Sequence, residues 1–172
     1  MRELLETEFD GVWRIMTESF PVAEYRPYAA QRSLLLHPAY HIYVKERDGI
    51  CAFLAVWELD GLDFVEHFAV DSTLRGKGIG SQMLAALRAR RGVPVCLEVE
   101  LPETEIAQRR IAFYQRAGFV CNPYPYEQPP MARGKASVPL MLMSTDRALT
   151  QAEFERVRAT VYRTVYSVNA LE

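Results

Sequence analysis

The spacing of apolar residues predicts helices first and strands afterwards in the first half of the chain. Before Phe20-Pro21, apolar residues recur every three to four positions, as on the buried face of a helix. Further on they form short alternating or continuous runs, and two Asp-Gly pairs predict tight turns between strands. The predicted elements are helices over 6–19 and 27–36 and strands over 40–46, 50–59 and 62–70. We therefore expect the first half to end in an antiparallel meander.

The second half alternates between helices and strands. Gly118 is expected just past the end of one helix, where glycine is favoured, and Thr150 with Glu153 predicts a capping box at the start of another. The predicted order is a helix over about 78–90, strand Val93–Val99, a helix over about 104–117, a strand from Phe119, a proline-rich loop over 122–137, strand Val138–Ser144 and a helix over 151–167. Together the two halves predict a mixed α/β sheet with helices on both faces.

Composition and charge narrow the class of protein. The 172 residues, 49% hydrophobic and 24% charged, suit one globular domain over 1–172, with 146–172 as a C-terminal helical extension. A formal net charge of -2 gives no basic field for nucleic acid, and the longest apolar runs are too short to span a bilayer. The N-terminal residues are too acidic for a signal peptide. We therefore expect a cytoplasmic protein without a nucleic-acid or membrane partner.

Three cysteines are widely spaced and form no Cys-x-x-Cys pair. This pattern favours reduced core thiols over disulfides or zinc ligands. The cysteines are Cys51, Cys96 and Cys121. We expect no metal site.

A glycine-rich loop between the third strand and the next helix is the first candidate for chemistry. It runs from Leu74 to Ser81, with glycines at positions 76, 78 and 80. Glycine permits tight turns and close approach of a ligand, and the helix start adds unpaired N–H groups. These features predict a site for the pyrophosphate of a nucleotide-like cofactor. The spacing matches neither a P-loop nor a dinucleotide fingerprint, and a plain tight turn with solvated basic residues is the alternative.

Two segments resemble the signatures of one enzyme family. Arg75-x-x-Gly78-x-Gly80, after Phe68-Ala69-Val70-Asp71, resembles the acyl-CoA signature of the GNAT superfamily of N-acetyltransferases. The run from Arg110 to Phe119, with Tyr114-x-x-x-Gly-Phe, resembles the second signature of that superfamily. The resemblance covers roughly residues 1–145. It implies a GNAT-like fold with a mixed, mostly antiparallel central sheet, helices on both faces, and a splayed strand pair that holds the acyl-CoA.

The resemblance also implies roles for individual residues. The loop's backbone N–H groups would bind the CoA pyrophosphate, and the strand before it would pair with the pantetheine arm and donate an N–H near Val70 to the oxyanion. Many members carry Asn seven residues before the signature tyrosine, where this chain has Ala107, so that contact is lost or replaced by Gln108. The cofactor-binding residues so implied are Phe68, Ala69, Val70, Arg75, Gly76, Lys77, Gly78, Ile79, Gly80, Ser81 and Gln108.

Tyr114 is the predicted catalytic acid. It matches the family's tyrosine that hydrogen-bonds the CoA sulfur, and a phenol with a reference pKa of about 10 suits stabilisation of a leaving thiolate. A core tyrosine that caps a hydrogen-bond network is the alternative.

Glu66 is the predicted general base. Two-residue periodicity places it on one strand face with Phe64, Phe68 and Val70, where a carboxylate on an apolar face invites a functional explanation. The equal alternative is an ion-paired or edge-exposed glutamate. His67 is expected on the other face, in a structural role. Glu98 and Glu100, on one face of the next strand, are reserve candidates, and amines that arrive neutral would need no base at all.

The resemblance implies transfer of an acetyl group from acetyl-CoA, with CoA as product, to a primary amine of a small molecule or peptide. The amine would attack directly in a ternary complex. One alternative is a non-catalytic acyl-CoA-binding regulatory module, which Ala107 and the uncertain base motivate; another is an anion-binding loop that binds no CoA. In this fold the acceptor approaches between the early helices and the loop over 122–137. An apolar face on the last helix leaves both a monomer and a homodimer open.

Overall fold

The computed structural model describes residues 1–166, which fall into two compact units, Met1–Val93 and the residues from Pro94 onwards. In each unit helices cover both faces of an antiparallel sheet. The described residues form eight strands, so the predicted mixed α/β class is confirmed. The last residue of the helix predicted over 151–167, and the end of the extension predicted over 146–172, lie outside the described residues.

The sheet of the first unit contains the predicted meander. Its strands follow one another in space, and each is antiparallel to its neighbour: β1 (Arg2–Glu3), β2 (Tyr40–Glu46), β3 (Ile50–Leu59) and β4 (Leu62–Val70). Asp48 and Gly49 both have positive φ, as a tight hairpin turn requires. The short β1 was not predicted because two residues carry no periodicity.

Three helices cover the two faces of this sheet. They are α1 (Phe9–Ser19), α2 (Tyr28–Ser33) and α3 (Ile79–Arg91). Phe20, at the end of α1, packs against His67 of β4 with ring centroids 5.0 Å apart. On the other face α3 buries Ile79, Met83, Leu84 and Leu87, and its last turn is anchored by Arg91, which bonds Asp63 and the Leu59 carbonyl. The start of the helix predicted over 6–19 is a separate 3-10 turn, Glu6–Glu8. The end of the helix predicted over 27–36 is another, Leu34–Leu36.

A β-bulge in β4 changes which side chains share a face. Ala55 pairs with His67 whereas the next residue of β3, Val56, pairs with Val65, so Glu66 is an extra residue in β4. The predicted common face of Glu66 with Phe68 and Val70 is therefore wrong. Glu66 lies instead on the side of Trp57 and His67, and an alternation of period two cannot reveal such an insertion.

The sheet of the second unit is arranged around its last strand. That strand, β8, pairs with β5 along one edge and with β6 and β7 along the other, always antiparallel. The strands are β5 (Val95–Glu100), β6 (Phe119–Cys121), β7 (Tyr126–Gln128) and β8 (Val138–Thr145). Sequence analysis missed β7 because its three residues lie within the loop predicted over 122–137.

Two helices cover the faces of the second sheet. On one face α4 (Glu105–Arg116) ends before Gly118, whose φ of +87° confirms the predicted helix end. On the other face α5 (Gln151–Val161) begins with the predicted Thr150–Glu153 capping box. The helix predicted to run on from α5 becomes a π-helical turn, Tyr162–Tyr166. The apolar side of α5 packs on its own unit, since the Phe154 ring contacts that of Tyr126.

All three cysteines are free thiols. Cys51 and Cys96 lie in the core, as predicted, whereas Cys121 is partly exposed. Between residues 1 and 166, no group of three His, Cys, Asp or Glu side chains is placed to hold a metal ion. No helix in the same part of the chain is long and apolar enough to cross a membrane.

Candidate functional site

Asp71 organises the start of the glycine-rich loop. Its side chain accepts hydrogen bonds from the backbone N–H and the hydroxyl of Thr73, at 3.1 and 2.7 Å, and so caps the 3-10 turn Ser72–Leu74. The Arg14 guanidinium lies 3.1 Å from the other Asp71 oxygen. The bonds from Thr73, followed by that from Arg14, lower the pKa of Asp71. The chain therefore leaves β4 in a fixed direction.

Arg75 fastens the loop to the end of β4. Its Nε donates to the Val70 carbonyl at 3.0 Å, and its terminal nitrogen reaches the Ser19 hydroxyl at 3.4 Å. The side chain of this signature arginine thus binds the loop to the end of β4 and to Ser19. Its predicted part in cofactor binding, through its backbone N–H, remains a prediction.

Two glycines give the loop its shape. Gly76 and Gly78 both have φ of +76°, and a Cβ built at either position would meet nothing within 4 Å. Conformation therefore requires glycine here, while the open space leaves room for a ligand close to the backbone. Gly78 is also the N-cap of α3, so the first-turn N–H groups at 79–81 have no partner within the helix. The first turn of α3 carries no acidic side chain that would repel an anion.

A basic pocket lies beside the start of α3. It has a volume of about 240 Å³, and three cations, Lys45, Arg47 and Lys77, contribute to its wall. The remaining lining residues are Glu46, Cys51, Ile79 and Gln82. The one carboxylate among them, Glu46, is paired with Arg2 at 2.7 Å. The pocket and the helix start together favour an anionic ligand, so this part of the chain fits the phosphate groups of a nucleotide-like cofactor.

Glu66 lies in a buried ion pair. The Arg26 guanidinium donates to one carboxylate oxygen at 2.6 Å and Trp57 Nε1 to the other at 3.2 Å, and both charged side chains are almost fully buried. The arrangement is the one expected of an ion-paired glutamate, the alternative to a base. The role of Glu66 as base remains a prediction.

His67 adjoins this ion pair instead of facing away from it. Its Nε2 lies 2.8 Å from the Glu24 carbonyl, and its Nδ1 lies 3.7 Å from a Glu66 oxygen. Burial lowers the pKa of His67, so the neutral imidazole is favoured. The expectation that His67 points to the opposite face is wrong because of the bulge.

Tyr114 lies on the buried side of α4, in the second unit. Its ring contacts Phe119 edge-on at 5.7 Å, and the residue is 6% exposed. Burial raises the pKa of Tyr114 to about 12, with Arg110 lowering it and Glu100 raising it to smaller extents. The phenol therefore keeps its proton at neutral pH and is able to donate a hydrogen bond. The role of Tyr114 as catalytic acid remains a prediction.

Gln108 lies on the exposed side of the same helix. Its amide nitrogen donates to the Pro102 carbonyl at 3.0 Å, which ties the side chain to the start of α4. The neighbouring Ala107 is buried, and its N–H donates to the Thr104 hydroxyl in the helix cap. Gln108 would have to give up its bond to Pro102 in order to replace the missing Asn contact.

Glu98, a reserve candidate for the base, has two tyrosine partners that its sequence position did not predict. The Glu98 carboxylate accepts hydrogen bonds from the hydroxyls of Tyr126 and Tyr166, the latter at 2.7 Å from both oxygens. Strand alternation was able to place Glu98 on a face of β5. No local signal linked it to Tyr166, which lies 68 positions further along the chain.

The chain is similar in sequence to a family of known enzymes. The model of a family described as acetyltransferase (GNAT) domain matches residues 38–121. A candidate acetyltransferase, YjbC, of Bacillus subtilis (strain 168) is 32% identical over 106 residues, which cover 60% of this chain and 54% of that protein. The chain thus spans about half the length of that curated relative.

Solved structures extend the match to nearly the whole chain. A candidate GNAT-family acetyltransferase from Bacteroides thetaiotaomicron has a TM-score of 0.85 at 33% identity, covering 93% of this chain and 92% of that one. The ribosomal-protein-S18-alanine N-acetyltransferase from Escherichia coli shares the fold, with a TM-score of 0.57 at 17% identity over 86% of this chain and 93% of that one. The chain therefore belongs to the GNAT family of acetyltransferases.

Proposed function

We propose that the protein is an N-acetyltransferase that transfers an acetyl group from acetyl-CoA to a primary amine of a small molecule or peptide. The observation that carries the proposal is the junction of β4, the glycine loop and α3, where two left-handed glycines precede a helix start beside a basic pocket. Family membership supports acetyl transfer. The choice of acetyl-CoA, of an amine and of a cytoplasmic location belongs to the proposal.

The loop would hold the diphosphate of the donor through the backbone N–H groups of residues 75–81. The positive end of the α3 dipole and the pocket cations would offset the phosphate charge. Backbone groups of Phe68, Ala69 and Val70 would align the pantetheine arm, as the family resemblance implies. Acetyl-CoA itself supplies the thioester whose acetyl carbon the amine attacks.

Tyr114 would serve the leaving thiolate. Because burial raises the pKa of Tyr114 to about 12, the phenol is protonated at neutral pH and could donate a hydrogen bond to the sulfur. A backbone N–H near Val70 would donate to the carbonyl oxygen as negative charge develops there. The C–N bond forms first and gives an oxyanion, whose collapse breaks the C–S bond and releases the CoA thiolate, and the amine proton leaves to a base or to water.

We expect Tyr114→Phe to lower kcat by about 100-fold or more, the usual contribution of general acid catalysis, while CoA affinity is nearly kept. The measurement is release of free thiol from acetyl-CoA across a broad amine panel, with mass spectrometry of the product. Tyr28→Phe is a matched control, since that hydroxyl bonds Asp10 on the surface. An unchanged kcat in Tyr114→Phe would remove this residue from the mechanism.

A non-catalytic acyl-CoA-binding module is the second candidate, because the position of the usual Asn is the buried Ala107 and Gln108 is bonded to Pro102. The same panel separates the two functions. Binding of CoA by calorimetry without transfer to any amine, and without thioester hydrolysis, would favour the module.

The oligomeric state, monomer or homodimer, remains a prediction that sedimentation at several concentrations would test.

A further inference from the structure

The basic pocket beside α3 is built by three separate segments of the first unit. Lys45 comes from the end of β2, Arg47 from the turn that follows, and Lys77 from the glycine-rich loop. Tyr43 lies two positions before Lys45 on the same strand, and the Arg90 guanidinium of α3 lies over its ring, 4.6 Å from the centroid. Because residues two apart on a strand share a face, Lys45 lies on the side of the sheet that α3 covers. The three cations therefore converge on one pocket.

These cations lack counter-ions. In the part of the chain that the structure describes, residues 1–166, none of the three side chains takes part in an ion pair, whereas Arg14 of α1 is paired with Asp71. Glu46, the one carboxylate on the pocket wall, is bound by Arg2 at 2.7 Å. A concave site lined by charge of one sign attracts ions of the opposite sign. The pocket is therefore suited to an anion.

The size and lining of the pocket suit one small charged group. Its volume of about 240 Å³ is below the usual range for pockets that hold a whole small-molecule ligand, about 300–1,000 Å³. None of the described residues that line it is aromatic, and its apolar wall consists of Ile79 and Cys51. An adenine ring would meet little apolar surface there, whereas a phosphate group would meet several cationic donors.

The pocket adjoins the loop that would hold the diphosphate of acetyl-CoA. Lys77 and Ile79 belong to both, and the Ile79 N–H is one of the first-turn groups of α3 that have no partner within the helix. An anion bound in the pocket would therefore lie close to the diphosphate, which favours one ligand that carries both groups. CoA carries one further phosphate, a monoester on the 3′ position of its ribose. Such a monoester has a charge of about -1.5 to -2 at neutral pH.

We propose that Lys45, Arg47 and Lys77 bind the 3′-phosphate of CoA, so that the pocket selects CoA over dephospho-CoA. The inference rests on the proposed use of acetyl-CoA and adds a second anion site for that donor. The 3′-phosphate would meet side-chain cations in the pocket, whereas the diphosphate would meet backbone N–H groups of the loop. Substitution of the pocket cations should therefore affect one phosphate site and keep the other.

Calorimetric titration with CoA and with dephospho-CoA tests the pocket, because the two ligands differ only in the 3′-phosphate. We expect the wild type to bind CoA about tenfold or more tightly than dephospho-CoA, the usual effect of a hydrogen bond between charged groups. Lys45→Gln and Arg47→Gln should each weaken CoA binding and keep the affinity for dephospho-CoA. The double variant should bring the two affinities closest together, and its retained binding of dephospho-CoA would show that it is folded.

Two matched variants separate a local effect from a general effect of charge. Arg32→Gln removes one positive charge from the surface of α2, where the side chain pairs with Glu6, and should leave the ratio of the two affinities unchanged. Arg47→Lys keeps the positive charge and should keep the preference for CoA. Equal affinities of the wild type for CoA and dephospho-CoA, or a preference that the double variant retains in full, would overturn the proposal.

Further measurements separate this inference from a free-phosphate site and from the proposed function. Binding of inorganic phosphate to protein already saturated with CoA would show that the pocket is an independent anion site and would overturn the proposal. A preference for CoA that the double variant loses would support the 3′-phosphate site even if no amine were acetylated. Acetyl transfer with equal KM values for acetyl-CoA and acetyl-dephospho-CoA would overturn the site and leave the proposed function in place.

Discussion

At the scale of single residues, the buried pair of Arg26 and Glu66 governs what Glu66 can do. Both carboxylate oxygens accept hydrogen bonds, from Arg26 and from Trp57. Removing one charge of a buried pair leaves the other without compensation. We expect Glu66→Gln to lower the free energy of unfolding by about 3–5 kcal/mol, measured by urea denaturation. The control Glu18→Gln breaks an exposed pair with Arg14 and should cost about 0.5 kcal/mol or less.

The same variant tests the base. If Glu66 accepted the proton of the amine, Glu66→Gln would lose the acidic limb of the rate profile at a temperature where the variant is folded. A profile that keeps that limb would leave Glu66 with its structural role alone.

The stability experiment has its own contrary outcome. A loss of unfolding free energy in Glu66→Gln no larger than that in Glu18→Gln would show that the buried pair is not stabilised as we describe.

Sequence analysis identified residues whose roles follow from their neighbours in the chain. The loop glycines and Tyr114 belong to short patterns. The positive φ of Gly76 and Gly78 confirms the tight turn expected there, whereas Gly80 lies within α3. The partners of Glu66 and Glu98 were not predictable in this way. Arg26 lies 40 positions from Glu66, and only the folded sheet brings the two together.

At the scale of elements, the two ends of α3 offer a controlled comparison. Gly78 begins the helix with φ of +76° and Gly92 ends it with φ of +66°, and a Cβ at either would meet nothing within 4 Å. An alanine at each should therefore cost about 1–2 kcal/mol of stability for the same conformational reason. We expect only Gly78→Ala to weaken CoA binding, because only that glycine precedes the N–H groups of the first turn. Calorimetric titration with CoA gives the affinity, and equal affinities in the two variants would contradict the phosphate role of the loop.

Elements were predictable where their pattern is long enough to repeat. The meander and the helices α1, α3, α4 and α5 all extend over several periods of an apolar pattern. The strand β7 has three residues and the bulge of β4 has one, so neither has a period to detect. Both nevertheless decide where candidate side chains lie: β7 carries Tyr126, and the bulge turns Glu66 towards Arg26.

At the scale of the whole molecule, ligand binding and stability are linked. A ligand that binds only the folded protein stabilises it by about 2.7 kcal/mol at a concentration one hundred times its Kd. For a chain of this size each kcal/mol raises Tm by about 2–4 °C, so saturating CoA should raise Tm by about 5–11 °C. Inorganic pyrophosphate at the same concentration should give a much smaller shift, since it engages the loop but not the strand that would align the pantetheine arm.

The Tm shifts with CoA and with pyrophosphate distinguish an acyl-CoA site from a plain anion site, because the two hypotheses predict different relative shifts. An anion-binding loop without CoA specificity would give equal shifts with CoA and pyrophosphate. Gly78→Ala should reduce both shifts, since both ligands would use the first turn of α3, whereas Gly92→Ala should keep them. A large CoA shift that Gly78→Ala leaves intact would place the main contacts of CoA outside the loop. A large CoA shift that Gly78→Ala abolishes would mean that binding of the whole cofactor depends on the first turn of α3.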